Sequence, residues 1–221
     1  MARKEEVVMT VNRVLIFAGG RLDPGMLREV RPDDVLIGAD RGALFLVEHG
    51  IKPDLAVGDF DSVSQEELAL IRNNSKEILD CDPVDKDLTD TELAFDLAVR
   101  RNPAEIVLTG VIGTRLDHTL ANLHMLLRAA EQGITCAIWD EHNYVTLCGS
   151  VCRVEDRGYT YVSLLPLTPV VTGITLDGFR YPLHNATLRI GQSLAVSNQL
   201  AASIGTVHLD EGWLLVIQSR D

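Results

Sequence analysis

The chain has no C-x-x-C pair, and its four cysteines (Cys81, Cys136, Cys148 and Cys152) have no histidines at zinc spacing. That excludes a zinc ribbon and thioredoxin-type chemistry. Cys148 and Cys152 lie four apart in a stretch that reads as β, and all four cysteines read as small buried hydrophobes. Neither G-K-[ST] in a glycine-rich loop nor G-x-G-x-x-G occurs, which excludes a Walker P-loop and the dinucleotide fingerprint. G-x-S-x-G is missing and no cysteine has a plausible base beside it, which argues against covalent catalysis. The apolar run VLIFAGG is too short to span a membrane, and the charged opening MARKEEVVMT does not read as a signal peptide. Positive charge is scarce: 20 Lys and Arg stand against 32 Asp and Glu, a net charge of −12. A nucleic-acid-binding stripe is therefore not expected. These absences predict no nucleic-acid partner, no membrane and a reducing cytoplasm.

What is present is an ordinary globular composition, with 46% hydrophobic and 24% charged residues over 221 positions. A chain of this length buries a sizeable core without disulfides. Strand-like and helix-like segments alternate through its first two thirds. VLIFAGG (14–20), DVLIGAD (34–40), DLAVGD (54–59), 77–81, 105–109 and 134–139 read as strands. ALFLVEHG (43–50), 65–72, 89–101 and 116–131 read as helices. Such alternation predicts a parallel sheet covered on both faces. From residue 151 the pattern changes to short β-rich runs (YTYVSLLPL, VVTGITL, ATLRI, SLAVSN, TVHL and WLLVIQS) separated by Gly, Pro, Asn and Asp, which predicts an antiparallel sandwich or small barrel. The expected fold class is α/β, with a parallel-sheet domain over 1–145 and a β-sandwich domain over 146–221.

Ligands of open parallel sheets collect at the carboxyl ends of the strands. Four such ends carry Gly, Asp or Arg: Gly19–Gly20; Asp40 and Arg41; Asp59 and Asp61; and Gly110, Gly113, Arg115 and Asp117. In GDFDS (58–62) the two aspartates can reach one hard cation across a tight turn, or can bond their own backbone as a turn. KDLTDTE (86–92) opens a helix. Thr89 and Glu92 form a capping box, whereas Asp90 is not needed as a cap and is a candidate third metal ligand. Lys86 is a candidate phosphate contact or a solvated lysine. TGVIGTRLDH (109–118) joins strand to helix through two glycines and exposes N–H groups to anions. Arg115 is placed to clamp a phosphate there, and Asp117 to hold an amine, a hydroxyl or a second metal. Of the histidines only His118 lies on this rim, and none is assigned to catalysis. The nucleotide- and phosphate-binding candidates are thus Gly20, Asp40, Arg41, Lys86, Asp87, Thr89, Gly113, Arg115 and Asp117.

GADRGALFLVEHGIKPDLAVGDFDS, KDLTDTELA, TGVIGTRLDHTLANL and the late SLLPL, SNQL and WLLVIQSRD resemble the bacterial thiamine pyrophosphokinase family, from about residue 14 to the end. The resemblance implies an ATP- and Mg²⁺-binding α/β domain followed by a sandwich that binds thiamine and dimerises. It implies transfer of pyrophosphate from ATP to the hydroxyethyl group of thiamine, giving thiamine diphosphate and AMP. It implies a homodimer with the thiamine pocket at the subunit interface. Asp59, Asp61 and Asp90 match the family's Mg²⁺ ligands, and Arg115 and Asp117 its R-x-D substrate and phosphate contacts. Ser197 and Asn198 match the S-N of the thiamine pocket. Tyr181, with Phe179 close by, stands near the position of a pocket aromatic that is Trp in some members, and Lys86 where some have Gln.

On this reading Asp59, Asp61, Asp90 and Arg115 are the catalytic set, and Asp117, Tyr181, Ser197 and Asn198 contact thiamine. A base is dispensable, or Asp87 or Asp117 takes the hydroxyl proton. The rival readings are a pyrophosphokinase acting on another primary alcohol such as a hydroxymethylpterin, a non-catalytic thiamine or nucleotide sensor, and a Mg²⁺-dependent phosphohydrolase.

Overall fold

The computed structural model describes residues 11–81 and 88–221. The chain divides into two compact units, 1–135 and 136–221.

The first unit is a parallel sheet with helices. Its strands are β1 (Arg13–Phe17), β2 (Val35–Ala39), β3 (Leu55–Gly58), β4 (Glu77–Asp80) and β5 (Glu105–Thr109), ordered β4-β3-β2-β1-β5. Every pairing among them is parallel. Strands β1 and β5 are buried along nearly their whole length, as the continuous apolar runs of a sheet covered on both faces require. Arg13 is the charged exception. It is buried at the start of β1, with its guanidinium on Asp34 at 2.7 and 2.8 Å and on the Glu29 carbonyl at 2.8 Å.

Helices α1 (Arg41–Glu48), α2 (Gln65–Asn74), α3 (Asp90–Val99) and α4 (Leu116–Glu131) follow β2, β3, β4 and β5. Helix α2 starts with a capping box between Ser64 and Glu67. In α3 the Thr89 hydroxyl caps the Glu92 N–H at 3.2 Å, and the Glu92 carboxylate reaches across to Arg128. Arg128 of α4 also binds Asp96 at 2.6 Å and lies 5.4 Å over the Phe95 ring. These contacts tie α3 to α4. A short 3₁₀ helix at Pro24–Glu29, capped by Asp23, was not legible as an element because it buries only Met26 and shows no helical periodicity.

The second unit holds two antiparallel sheets. One contains β6 (Thr135–Trp139), β7 (Asn143–Cys148), β13 (Leu214–Ser219) and β9 (Tyr161–Pro166) in that order; residue 135 itself belongs to the first unit. The other runs β11 (Ala186–Arg189), β10 (Val170–Asp177), β12 (Ile204–His208) and β8 (Val151–Glu155). Cys148, Leu164 and Val216 of the first sheet share one core with Val154, Ile174, Leu176 and Val207 of the second. That is a β-sandwich, and together with the first unit it gives the expected fold class.

β7 follows the tight turn at Asp140, whose Oδ1 accepts the His142 and Asn143 N–H groups at 2.8 and 2.7 Å. This makes β6 and β7 a hairpin. SLAVSN (193–198) is not a strand. Its alternation is interrupted by a turn bond from Val196 N–H to the Ser193 carbonyl and by a positive φ of 58° at Ser197. The segment touches β9 through single hydrogen bonds and buries Ala195 and Asn198, leaving Leu194 67% exposed.

Candidate active site

The exits of β1, β2 and β5 and the start of α3 enclose a cavity of about 280 Å³ at the carboxyl edge of the parallel sheet. Gly20, Asp40, Thr89, Asp90, Gly113 and Arg115 all line it. Gly20 lets two strand exits touch. Its N–H donates to the Gly110 carbonyl at 2.8 Å, and a Cβ there would stand 2.3 Å from that oxygen.

Asp40 is placed by strand register. Ala39 pairs with Val57, so Asp40 emerges level with Gly58 and its N–H donates to the Val57 carbonyl at 3.0 Å. Its Oδ1 accepts the Phe60 N–H at 3.1 Å. Gly58 makes this possible: at φ 148° it leaves the space that a Cβ would occupy 2.2 Å from Asp40 Oδ1. Asp40 and Phe60 both have positive φ, 48° and 55°, an unusual cost for non-glycine residues that surrounding packing must hold in place. Phe60 is anchored by burial against Ala43, Leu44, Ala56 and Ile71. The turn bond expected of GDFDS is present, from Asp61 N–H to Asp59 Oδ1 at 3.2 Å. Turn and metal-ligand geometry coexist here.

Carboxylate oxygens of Asp40, Asp59 and Asp61 lie within 4.8 Å of one another. Burial, and then the charge and hydrogen bond of Asp90, push the Asp40 carboxyl up to about 7. A hard divalent cation relieves this crowding of acid groups, and oxygen donors suit Mg²⁺. The donor set therefore fits a cation. Asp40, read from the sequence as a polar contact to the nucleotide or to thiamine, joins the acidic cluster, and Asp90 touches it through Asp40.

Arg115 immediately precedes α4, makes no side-chain capping bond to it, and lines the cavity. Its Nη2 donates to Asp117 Oδ2 at 2.6 Å, and that bond holds the Asp117 carboxyl below the usual range. Asp117 thus steers Arg115 and is not among the residues lining the cavity. Arg41 points elsewhere: its Nη1 donates to the Ser62 carbonyl at 3.2 Å, and it lines a neighbouring cavity. Lys86 and Asp87 lie outside the described residues.

Asn122 was missed in the sequence. It lines the cavity one helical turn beyond His118, buried, with Nδ2 donating to the Val111 carbonyl at 2.7 Å. It braces the glycine loop ahead of Arg115. The available signal was a polar residue on the helix face that also buries Met125, Leu126 and Ala129.

Tyr181, Ser197 and Asn198 belong to the second unit. Ser197 is exposed, with its N–H on the Ser163 hydroxyl at 3.0 Å. The Asn198 side chain is committed to the backbone of Tyr181, a residue that remains 57% exposed.

Residues 27–138 match the family described as thiamin pyrophosphokinase, catalytic domain, and residues 151–214 match thiamin pyrophosphokinase, vitamin B1 binding domain. The chain is 33% identical over 210 residues to the thiamine pyrophosphokinase of Bacillus subtilis, covering 93% of this chain and 98% of that protein. The crystal structure of the Bacillus subtilis thiamine pyrophosphokinase superposes with a TM-score of 0.88 at 31% identity, covering 95% of this chain and all (100%) of that one. That of the Geobacillus thermodenitrificans thiamin pyrophosphokinase gives 0.85 at 35% identity, covering 95% and 98%. The chain belongs to the thiamine pyrophosphokinase family.

Proposed function

We propose that the acidic cluster and Arg115 carry out the reaction of this family, transfer of pyrophosphate from ATP to the hydroxyethyl oxygen of thiamine, releasing AMP. The observation that carries the assignment is the convergence of Asp40, Asp59 and Asp61 beside a cavity lined by Asp90 and Arg115.

Asp59, Asp61 and Asp90, with Asp40, would hold Mg²⁺. When bound, that ion supplies positive charge to the oxygens of the transferred group. The chain's own groups do the rest. Arg115, oriented by Asp117, faces the phosphate chain. The N-terminal ends of α3 and α4 add partial positive charge on the same side. Gly20 and Gly113 keep the rim narrow enough in side-chain bulk for phosphates to approach backbone N–H groups. Phosphoryl chemistry of this kind needs positioning more than a strong base, and Asp117, held acidic by Arg115, is a poor proton acceptor. Lys86 and Asp87 are assigned from the sequence alone, as phosphate contact and candidate proton acceptor.

The first domain, over 1–145, is read as the ATP- and Mg²⁺-binding part, and the sandwich over 146–221 as the thiamine-binding and dimerising part. Exposed Ile190, Leu194 and Val196 on the second unit support a homodimer through that unit, since apolar surface of this kind marks contact regions. Tyr181 offers the thiamine rings a stacking face, with Ser197 and Asn198 beside it. The reducing cytoplasm is read from the cysteine pattern of the sequence; no helix among the described residues is long and apolar enough to cross a membrane.

The test is incubation of the purified protein with Mg²⁺, ATP and thiamine, followed by chromatography of nucleotides and thiamine species. AMP and thiamine diphosphate appearing one for one is the expected result. ADP with thiamine monophosphate would mean that the other phosphate bond breaks and would overturn the placement of ATP. ATP consumption without an acceptor would point to a phosphohydrolase. Product only with a hydroxymethylpterin would reassign the acceptor, and binding without turnover would leave a sensor.

A further inference from the structure

Two thiols meet inside the sandwich. Cys148 ends β7 in one sheet, paired with Leu214 of β13. Cys152 lies in β8 of the other sheet, paired with Val207 of β12. The three residues between them, Gly149, Ser150 and Val151, carry the chain from one sheet to the other. They pass close to Trp213: a Cβ on Gly149 would stand 2.3 Å from its indole.

The Cys148 Sγ lies 4.0 Å from the carbonyl of Val207, the residue paired with Cys152. The Cys152 thiol donates to the Cys148 sulfur. Cys148 is 2% exposed, in the core shared by both sheets. Cys152 packs against that core and remains partly exposed. Cysteines that serve only as small apolar side chains need neither contact between their sulfurs nor an opening to solvent. This pair has both. Disulfides join cysteines whose side chains face each other, and hydrogen-bonded thiols already do. Neither residue lines the cavity around Asp40, so the transfer reaction makes no use of them.

We propose that Cys148 and Cys152 are a redox-responsive dithiol that closes to a disulfide and staples the two sheets of the sandwich. The oxidant is a low-molecular-weight disulfide. Cys152, the thiol that solvent reaches, attacks one sulfur of this reagent, gives up its proton and releases one small thiol. Cys148 then attacks the Cys152 sulfur of the mixed disulfide, gives up its proton and releases the second small thiol. One S–S bond forms in the protein and one breaks in the reagent, and the two protons end on the released thiols. In a reducing cytoplasm the pair rests as thiols, and the staple forms when the balance turns oxidising.

The experiment exposes the whole protein to oxidised glutathione, denatures it with an alkylating agent present, and maps the cysteines by peptide mass spectrometry. Thermal melts run in parallel. Cys148 is expected joined to Cys152, with the peptide lighter by two hydrogens. The melting temperature is expected to rise by about 2–8 °C, the scale of a short disulfide loop, and to return with dithiothreitol. Cys148→Ser should keep glutathione on Cys152, since nothing displaces it. Cys152→Ala should leave Cys148 unmodified and abolish the rise. Cys152 is partly exposed, so its variant keeps the test valid if Cys148→Ser fails to fold.

Both thiols alkylated after exposure of the wild type, or glutathione persisting on its Cys152, would overturn the dithiol. So would a crosslink from either residue to Cys81 or Cys136. A Cys148–Cys152 bond with no rise in melting temperature would overturn the staple.

Discussion

Asn198 holds Tyr181 by both of its backbone polar groups. Its Oδ1 accepts the Tyr181 N–H at 3.0 Å, and its Nδ2 donates to the Tyr181 carbonyl at 2.7 Å. The same Oδ1 also accepts the Gln199 N–H at 2.8 Å. The amide is buried while the tyrosine is exposed. Asn198 therefore fixes the backbone from which the Tyr181 side chain projects.

This relationship separates two variants. Tyr181→Phe keeps the stacking ring and is expected to leave the thiamine KM within about twofold, whereas Tyr181→Ala raises it by up to about tenfold. Asn198→Ala leaves part-buried backbone groups without this partner and costs about 1–2 kcal/mol of stability. It raises the thiamine KM more than the ATP KM. Steady-state kinetics with each substrate varied, alongside thermal melts, check both; an ATP KM that rises more than the thiamine KM would remove the sandwich from thiamine binding.

Asp61→Asn should lower turnover by about 100-fold or more, the scale of losing one charge that stabilises the transition state. The fold should persist, because Asp61 is exposed. Far-ultraviolet circular dichroism and a Mg²⁺ titration of turnover check this. Near-normal turnover at saturating Mg²⁺ would take Asp61 out of the metal set.

Gly58→Ala tests the seat of Asp40. The added methyl group would meet the Asp40 carboxylate at 2.2 Å, at a φ that L side chains rarely adopt. A stability loss of about 1–3 kcal/mol is expected from backbone strain, with turnover falling as Asp40 is displaced. A variant with wild-type melting temperature and turnover would mean that the register of Asp40 and Gly58 does not matter.

Asp40 also gives a pH prediction for the metal-free protein. Burial and Asp90 push its carboxyl up to about 7 in the folded state, above the ordinary unfolded value of about 3.9. Between those values the folded state holds the extra proton. The stabilising contribution is thus complete below about pH 4 and is lost as pH rises through 7. Asp40→Asn removes the penalty while keeping an acceptor for the Phe60 N–H. It should raise the melting temperature at pH 8 and leave it nearly unchanged at pH 4. Equal effects at both pH values would contradict the crowding of these carboxylates.

Much of this molecule was legible in its sequence because the signals were local. Helix α4 was read at its observed bounds, since Met125, Leu126 and Ala129 repeat at helical spacing. Buried parallel strands showed as short apolar runs ending in Gly or Asp, and the turn bond of Asp59 follows from the chemistry of aspartate two residues from an N–H. SLAVSN misled because alternation alone does not reveal a positive φ at Ser197.

By itself, then, the sequence determined which side chains stand at the strand exits, and its motifs determined the family. Tertiary structure decided which exits are neighbours. Asp40 joins Asp59 and Asp61 because β2 pairs with β3 in the register Ala39 with Val57. Arg128 ties α3 to α4, and Asn198 reaches back 17 residues to Tyr181. Periodicity and turn chemistry act over a few residues, whereas strand order and register bring distant residues within a hydrogen bond of each other. That long-range pairing is what turns separate aspartates into one acidic cluster.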